Sequence, residues 1–365
     1  MTDVIASLKD ATLEPVPFQA LPRWSDDNHT QAFSVFLKTA STITTKHSSL
    51  RPARDYPASF IRLLDEAKRI APDEARAFFE SRFDVYFVRP DHGRGFLTGY
   101  YEPEIEAALH PSPSFPVPVL RRPSDLVTFS ADDIPEAFRD CSLSAARQTG
   151  QGLVPYFDRA AIEDGALSDR ALECLYLPDR VELFFAQIQG SARVRLQDGT
   201  SKRLVYAGRN GHPYTTIAKL IIAEGHMALE EITLESLKAW LRAHPRDADR
   251  LMRQNRSYIF FTVSDDPPLS EGPLGGASVS LTAGRSLAVD RHQWFYGLPF
   301  FIESTFPDGH GGIVDYARLM IAQDTGSAIL GAARGDIFCG SGADAGRQAG
   351  MIRHPGNFFV LWPKG

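Results

Sequence analysis

Two carboxylates stand twelve residues apart in RLMIAQDTGSAILGAARGDIFCGSG, a run with almost no other charge. Asp324 follows the apolar residues Leu319, Met320, Ile321 and Ala322, and Asp336 lies between Gly335 and the pair Ile337-Phe338. A poorly hydrated setting disfavours the charged form of an acid, so such a residue can keep a proton at neutral pH and serve in acid–base chemistry. DTGS at Asp324–Ser327 also matches the aspartic-protease signature, whose chemistry needs two aspartates sharing one proton. The chain has no second DTG or DSG, so a protease would have to build its site from two copies. For Asp324 two readings stay open: a strand end entering a glycine turn, or a group supporting a nearby catalytic acid.

Other segments carry groups suited to sugars. TGYYEP (Thr98–Pro103) sets Thr98 and Tyr100 beside a second tyrosine and a glutamate. Aromatic rings pack on the CH faces of sugars while neighbouring polar groups bond hydroxyls, although core packing explains the same rings. AQIQGSARVRL alternates apolar residues with Gln187 and Gln189, a pattern that predicts both amides on one strand face. AGRNGHPY adds Asn210, Gly211, His212 and Tyr214, either as part of a polysaccharide groove or as an Asn-Gly turn with a satisfied histidine. GSGADAG is not GxGxxG and reads as a turn opening a helix, so dinucleotide binding is not expected. SLAVDR ends a strand at Asp290-Arg291, an ion pair or a turn.

Several elements must position these groups. Residues 1–30 read as irregular. Helical spacing begins near Thr30 with Phe33, Phe36, Leu37 and Ala40 on one face, recurs at Phe60–Ala67, and recurs again over Asp73–Ser81. FDVYFVRP and GFLTGYYEPEIEAAL read as a pair of strands around DHGRG. A proline-rich stretch over 111–125 suggests a crossing between domains. RVELFFAQIQGSARVRL and KRLVYAG read as strands around the Asp198-Gly199 turn. A helix follows that Gly225 closes, then one that Thr233 caps, then the strand SYIFFTV. After residue 264, short apolar runs separated by glycine and proline predict a small closed barrel, interrupted by the helix GADAGRQAGMI.

Composition narrows the function classes. The 365 residues suffice for two domains, and 43% hydrophobic with 23% charged residues is ordinary for a globular chain. A net charge of −6 argues against nucleic acid as the main partner. Cys141, Cys174 and Cys339 are odd in number and widely spaced, which predicts free thiols, and the ten histidines form no HExxH motif. No apolar run approaches the roughly 18 residues of a membrane span. MTDVIASLKDATLEP shows neither a basic region nor an apolar core of a leader, and the first cysteine, Cys141, is too far along to anchor a lipid.

TGYYEP, FFAQIQGSARVRL, YAGRNGHPYTTIAKLIIAEG, AWLRAHP, QNRSYIFF, GRSLAVDR and RLMIAQDTGSAILGAARGDIFCGSG occur in that order over residues 85–362. Together they resemble the membrane-bound lytic transglycosylase A (MltA) family. The resemblance implies a mainly β fold with helices (α+β): a double-psi β-barrel catalytic domain from residues 1–110 and 256–365, and an inserted β-rich substrate-binding domain from 111–255, with a glycan groove between them. It implies cleavage of the β-1,4 bond between N-acetylmuramic acid and N-acetylglucosamine in peptidoglycan, leaving a 1,6-anhydro end. The family's catalytic aspartate falls on Asp336, with Asp324 in support. The substrate-binding positions fall on Thr98, Tyr100, Gln187, Gln189, Tyr206, Asn210, Gly211 and Tyr214. The implied enzyme is a monomer that needs no metal or organic cofactor, works on glycan strands in the periplasm or at the outer membrane, and could join a cell-wall enzyme complex. A non-catalytic glycan-binding barrel is the alternative. Ser327 and Ala192 stand where the family commonly has glycine, so a local backbone change is expected if those glycines take positive φ.

Overall fold

Runs of aromatic and β-branched residues fold as strands, and apolar residues at helical spacing fold as helices, in a computed structural model that describes residues 8–45, 49–129, 134–265, 267–307 and 312–364. Residues 1–7, which open the stretch read for a leader, lie outside the described residues. Two compact units emerge. The first takes the described residues of Met1–Tyr101, Glu271–Gly340 and Asp344–Gly365, and the second takes Glu102–Ser270 with Ser341–Ala343.

The first unit holds eight strands: β1 (Ala11–Val16), β2 (Phe83–Pro90), β3 (Phe96–Glu102), β4 (Ser286–Val289), β5 (Pro299–Pro307), β6 (Ile313–Asp324), β7 (Arg334–Ser341) and β8 (Arg353–Pro363). Their order is β1-β2-β8-β5-β6-β4-β7-β3, and a further pairing of β3 with β8 closes six of them into a ring. This ring is the double-psi β-barrel of the expected fold. Within it β4 runs parallel to β6 and antiparallel to β7. The stretch expected to be irregular contains β1, which pairs along its length with β2. β2 and β3 form as expected but are not a hairpin. Both lie along β8, β3 through Arg353–Pro355 and β2 through Phe359–Pro363. Hydrophobic pattern marks a strand without naming its partner, and here a strand from the far end of the chain takes both.

Three helices cover the barrel: α1 (His29–Thr44), α2 (Ala58–Ala67) and α3 (Ala75–Arg82). The Asn28 side chain caps α1 by accepting from Gln31 N. α1 buries Phe33 and Phe36 against Phe60 of α2 and Phe78 and Phe79 of α3. Each such side chain contributes about 1.5–3 kcal/mol by leaving water. A buried ion pair fixes α1 to the ring: Arg285 holds Asp27 at 2.8 Å and Gln31 at 2.9 Å, while Leu319 N donates to Asp27 at 2.7 Å. A fourth helix, α4 (Gly342–Met351), follows β7.

The second unit has a four-stranded sheet in which Ile259–Ser264, Ser201–Arg209, Ser191–Leu196 and Glu104–Ala107 are neighbours in that order. The hairpin at Asp198-Gly199 forms, as do the Gly225 stop and the Thr233 cap. Arg180–Gln189 is a helix, which corrects the strand read there. Asp179 caps its start, Gly190 at φ 81° ends it, and Val181, Phe184 and Phe185 face one core while Leu183 and Ala186 face another. Local capping at both ends and burial on two sides outweigh the short alternation of apolar and amide residues. Around Glu102, which has no exposed surface, Arg203 at 2.7 Å and Arg193 at 3.0 Å supply charge, and Ser341 donates at 2.8 Å.

Candidate active site

The ring register brings the two aspartates of the sequence motif together. Ala288 of β4 pairs with Asp336 of β7 on one side and with Asp324 of β6 on the other. Residues directly opposite one another share a face of the sheet, so both carboxylates project from the same side. Two strand spacings separate their backbones by roughly 10 Å.

β3 supplies the second layer of the site. Thr98 and Tyr100 are two apart on a strand and therefore point the same way. Thr98 Oγ1 lies 2.6 Å from Asp336 Oδ1, and Tyr100 donates its hydroxyl to Asp324 Oδ2 at 2.9 Å. Gly99 between them faces α4, where an added Cβ would meet Ala349 Cα at 2.8 Å and its carbonyl oxygen at 2.9 Å. The TGY run thus gives polar groups to one face and close helix packing to the other. On β7 the same alternation puts Arg334, Asp336 and Phe338 on the site side, and the rings of Phe338 and Tyr100 lie 5.3 Å apart. Gly335 turns away, with no room for a Cβ against the Phe358 ring at 2.9 Å.

The two acids have different surroundings. Asp324 accepts from Tyr100, accepts from Gly276 N at 2.7 Å, and has Arg51 Nη1 at 3.9 Å. Asp336 keeps a partly accessible edge, but burial pushes its carboxyl up to about 6 against the lowering effects of Arg334 and the Thr98 bond. The charge of Asp324 raises it too and is the smallest of these four influences. Desolvation, more than like-charge repulsion, keeps the proton on Asp336. Burial likewise raises the Tyr100 phenol well above its ordinary value, reinforced by the Asp324 charge. It also pushes the Cys339 thiol up to about 12, which leaves that thiol unreactive at neutral pH. Among the described residues no cluster of three or more His, Cys, Asp or Glu is placed to hold a metal ion.

Arg334, Arg51 and Phe338 were not singled out in the sequence. Arg334 could have been found by the strand alternation that links it to Asp336. Arg51 comes from a distant irregular segment and carries no local signal. Asp290 is buried and makes a turn, accepting from His292 N at 2.9 Å and Gly331 N at 2.8 Å.

The remaining sequence candidates belong to the second unit. Gln187 is buried on its helix and donates to Ile259 O at 2.9 Å. Asn210 is fully buried and its amide serves the main chain, donating to Phe157 O and Arg256 O and accepting from Tyr258 N, each at 2.9 Å. Gly211 has φ 84° and packs on Ala145, where an added Cβ would lie 2.4 Å from Ala145 N. His212 is buried with Nε2 2.8 Å from Tyr156 O. Gln189, Tyr206 and Tyr214 keep partial exposure. Among the described non-glycine residues, positive φ occurs at Arg23, Ser142, Ala171 and Ser278, so Ala192 and Ser327 both sit in ordinary backbone.

Comparison with known proteins identifies the family. The MltA specific insert domain pattern matches residues 96–262, and the 3D domain pattern matches residues 285–362. A membrane-bound lytic murein transglycosylase from Agrobacterium tumefaciens is 37% identical, with 96% of this chain and 97% of that chain covered and a TM-score of 0.84. MltA from Neisseria gonorrhoeae is 28% identical, with 97% of this chain and 93% of that chain covered and a TM-score of 0.78. Membrane-bound lytic murein transglycosylase A of Escherichia coli (strain K12) is 31% identical over 276 residues, which make up 74% of this chain. The match spans 66% of that relative's own length, just under two thirds. No helix of the described residues is long and apolar enough to cross a membrane.

Proposed function

The chain belongs to the MltA family of lytic murein transglycosylases, and from that premise we propose that it cleaves the β-1,4 bond between N-acetylmuramic acid and N-acetylglucosamine in peptidoglycan without consuming water. The observation that carries the mechanism is a single desolvated carboxyl, Asp336, whose pKa is raised to about 6 on the polar face of the barrel. Protonated, it donates to the glycosidic oxygen as the bond to the anomeric carbon breaks. Positive charge develops at that carbon. The sugar's own 6-hydroxyl attacks it and passes its proton to the Asp336 carboxylate, which restores the starting acid. Acid and base roles alternate on one group, and the tethered nucleophile supplies a large effective concentration. Hydrolytic glycosidases instead use a second carboxylate to activate water or to attack the sugar. The partners bound to Asp324 favour an anchoring role for it.

On this reading Tyr100 and Thr98 support the acid within the barrel unit. Gln189, Tyr206 and Tyr214 are the glycan-contact candidates of the insert, while Gln187, Asn210 and Gly211 shape the backbone that carries them. The substrate sets the working location at the periplasm or outer membrane. Digestion of purified sacculi tests the proposal. Anhydro-ended muropeptides are expected from the wild type and none from Asp336→Asn. Mass spectrometry distinguishes them from reducing ends by one water. Reducing-end products, or turnover by Asp336→Asn, would overturn the assignment.

A further inference from the structure

We propose that Arg334 is a positioning residue that acts through Thr98: it orients the Thr98 hydroxyl hydrogen onto Oδ1 of Asp336 and so assigns the transferable proton to Oδ2. This rests on the transglycosylase reading of Asp336. Arg334 Nη2 lies 2.7 Å from Thr98 Oγ1, and Thr98 Oγ1 lies 2.6 Å from Asp336 Oδ1. A guanidinium only donates, so Thr98 accepts from Arg334. The hydroxyl has one hydrogen of its own, and Asp336 Oδ1 is its acceptor among the described residues. Were Asp336 to carry its proton on Oδ1, that hydrogen would point at Thr98, the hydroxyl would accept twice, and its own hydrogen would have no acceptor.

The guanidinium is held in place from other sides. Its Nη1 donates to the carbonyl of Gly335, and its plane lies over the Phe96 ring at 5.5 Å. Fixed orientation matters because a carboxyl that can place its proton on either oxygen presents the sugar with two acids, of which one points into the protein. With Oδ1 committed to Thr98, each turnover releases the proton from Oδ2 and recovers it there. Once the proton has left, the same bond and the nearby positive charge stabilise the carboxylate. The arrangement therefore offsets part of the burial that keeps Asp336 protonated.

The experiment compares anhydro-product formation from solubilised murein strands across pH for the wild type, Thr98→Val, Thr98→Ser, Arg334→Met and the double variant. Loss of one hydrogen bond to a charged group corresponds to roughly tenfold. Thr98→Val and Arg334→Met are each expected to lower kcat about tenfold with KM unchanged. Each should also move the basic limb of the pH profile upward, because both remove an influence that lowers the Asp336 pKa. The double variant should be no worse than the poorer single one, and Thr98→Ser should restore both limb and rate. Independent, multiplying losses would overturn the coupling, as would an unmoved limb or a loss confined to KM. Should Arg334→Met not fold, Arg334→Gln takes its place in the cycle with the same expected outcomes. Turnover by Asp336→Asn would sink the transglycosylase reading itself. Additive losses beside an inactive Asp336→Asn would sink only the Arg334 role.

Discussion

Replacing Asp336 with asparagine should make the protein more stable at neutral pH while abolishing its chemistry. Burial pushes the Asp336 carboxyl up to about 6 in the folded chain, from an ordinary value of 3.8. An acid whose folded pKa is raised binds its proton more tightly when folded. Below the unfolded value both states are protonated and the group contributes nothing to stability. Between the two values the unfolded chain is already ionised while the folded one is not, so stability falls as pH rises. Above the folded value the full penalty applies. A difference of about two pH units, at about 1.4 kcal/mol each, is about 3 kcal/mol.

An introduced amide can still accept from Thr98 and places a donor where the acid carried its proton, so it imitates the protonated form without the cost of ionisation. The variant should therefore match the wild type near pH 4 and exceed it by about 3 kcal/mol at pH 8, which is roughly 6–12 °C in Tm for a domain of ordinary size. Urea titrations at a series of pH values between 4 and 8 measure this directly, provided the slopes agree between the two proteins. A variant that is no more stable than the wild type at pH 8, or a difference that ignores pH, would refute desolvation as the source of the raised pKa.

Arg285→Met should cost about 3–5 kcal/mol at pH 7 because it leaves the buried Asp27 carboxylate unpaired. Asp27 is held below its ordinary pKa because its bonds to Arg285 and Leu319 N outweigh the effect of burial. The deficit should shrink as pH falls toward 4 and the abandoned acid takes up a proton; equal deficits at pH 5 and pH 7 in denaturant titrations would contradict this. Gly99→Ala should cost about 1–3 kcal/mol, since its Cβ would collide with the α4 backbone. It should also slow turnover, because Thr98 and Tyr100 are carried on either side. Thermal unfolding and anhydro-product rates check it, and wild-type values of both would rule it out.

Patterns that depend on near neighbours were legible. The α1 and α2 faces, the Asp198-Gly199 hairpin, the Thr233 cap and the run of barrel strands after 264 all show in local periodicity and capping. Gln187 and Gln189 show where that reasoning fails. A four-residue alternation predicts a strand, yet Asp179 and Gly190, immediately before and after Arg180–Gln189, mark a helix with both ends capped. The sequence leaves Asn210 either in a polysaccharide groove or in an Asn-Gly turn, and does not show that its amide supplies partners to the main chain of Phe157, Arg256 and Tyr258. The placement of β2 and β3 on opposite ends of β8, and of Arg51 beside Asp324, is set by pairings across the length of the chain. No window of sequence contains that information.

The division of labour proposed for Asp324 and Asp336 shows why a conspicuous motif can mislead. DTG stands out because Thr325 bonds Val289 O at 2.8 Å and Gly326 opens the turn that ends β6, which are requirements of the chain path. The same path surrounds Asp324 with a phenol, a main-chain N–H and a guanidinium, so its lone pairs are spent on holding β3 and the loop at Gly276 in place. Asp336 pairs with the other side of Ala288, accepts from Thr98 and lies near the Arg334 charge, yet burial outweighs both. A carboxyl whose burial outweighs the groups that stabilise its charge is suited to carry a proton. In the proposed mechanism, identical side chains in matched register separate into anchor and proton carrier through their neighbours. The anchor in turn sets the carrier, because Tyr100 held by Asp324 lies two residues from Thr98 on the strand that touches Asp336.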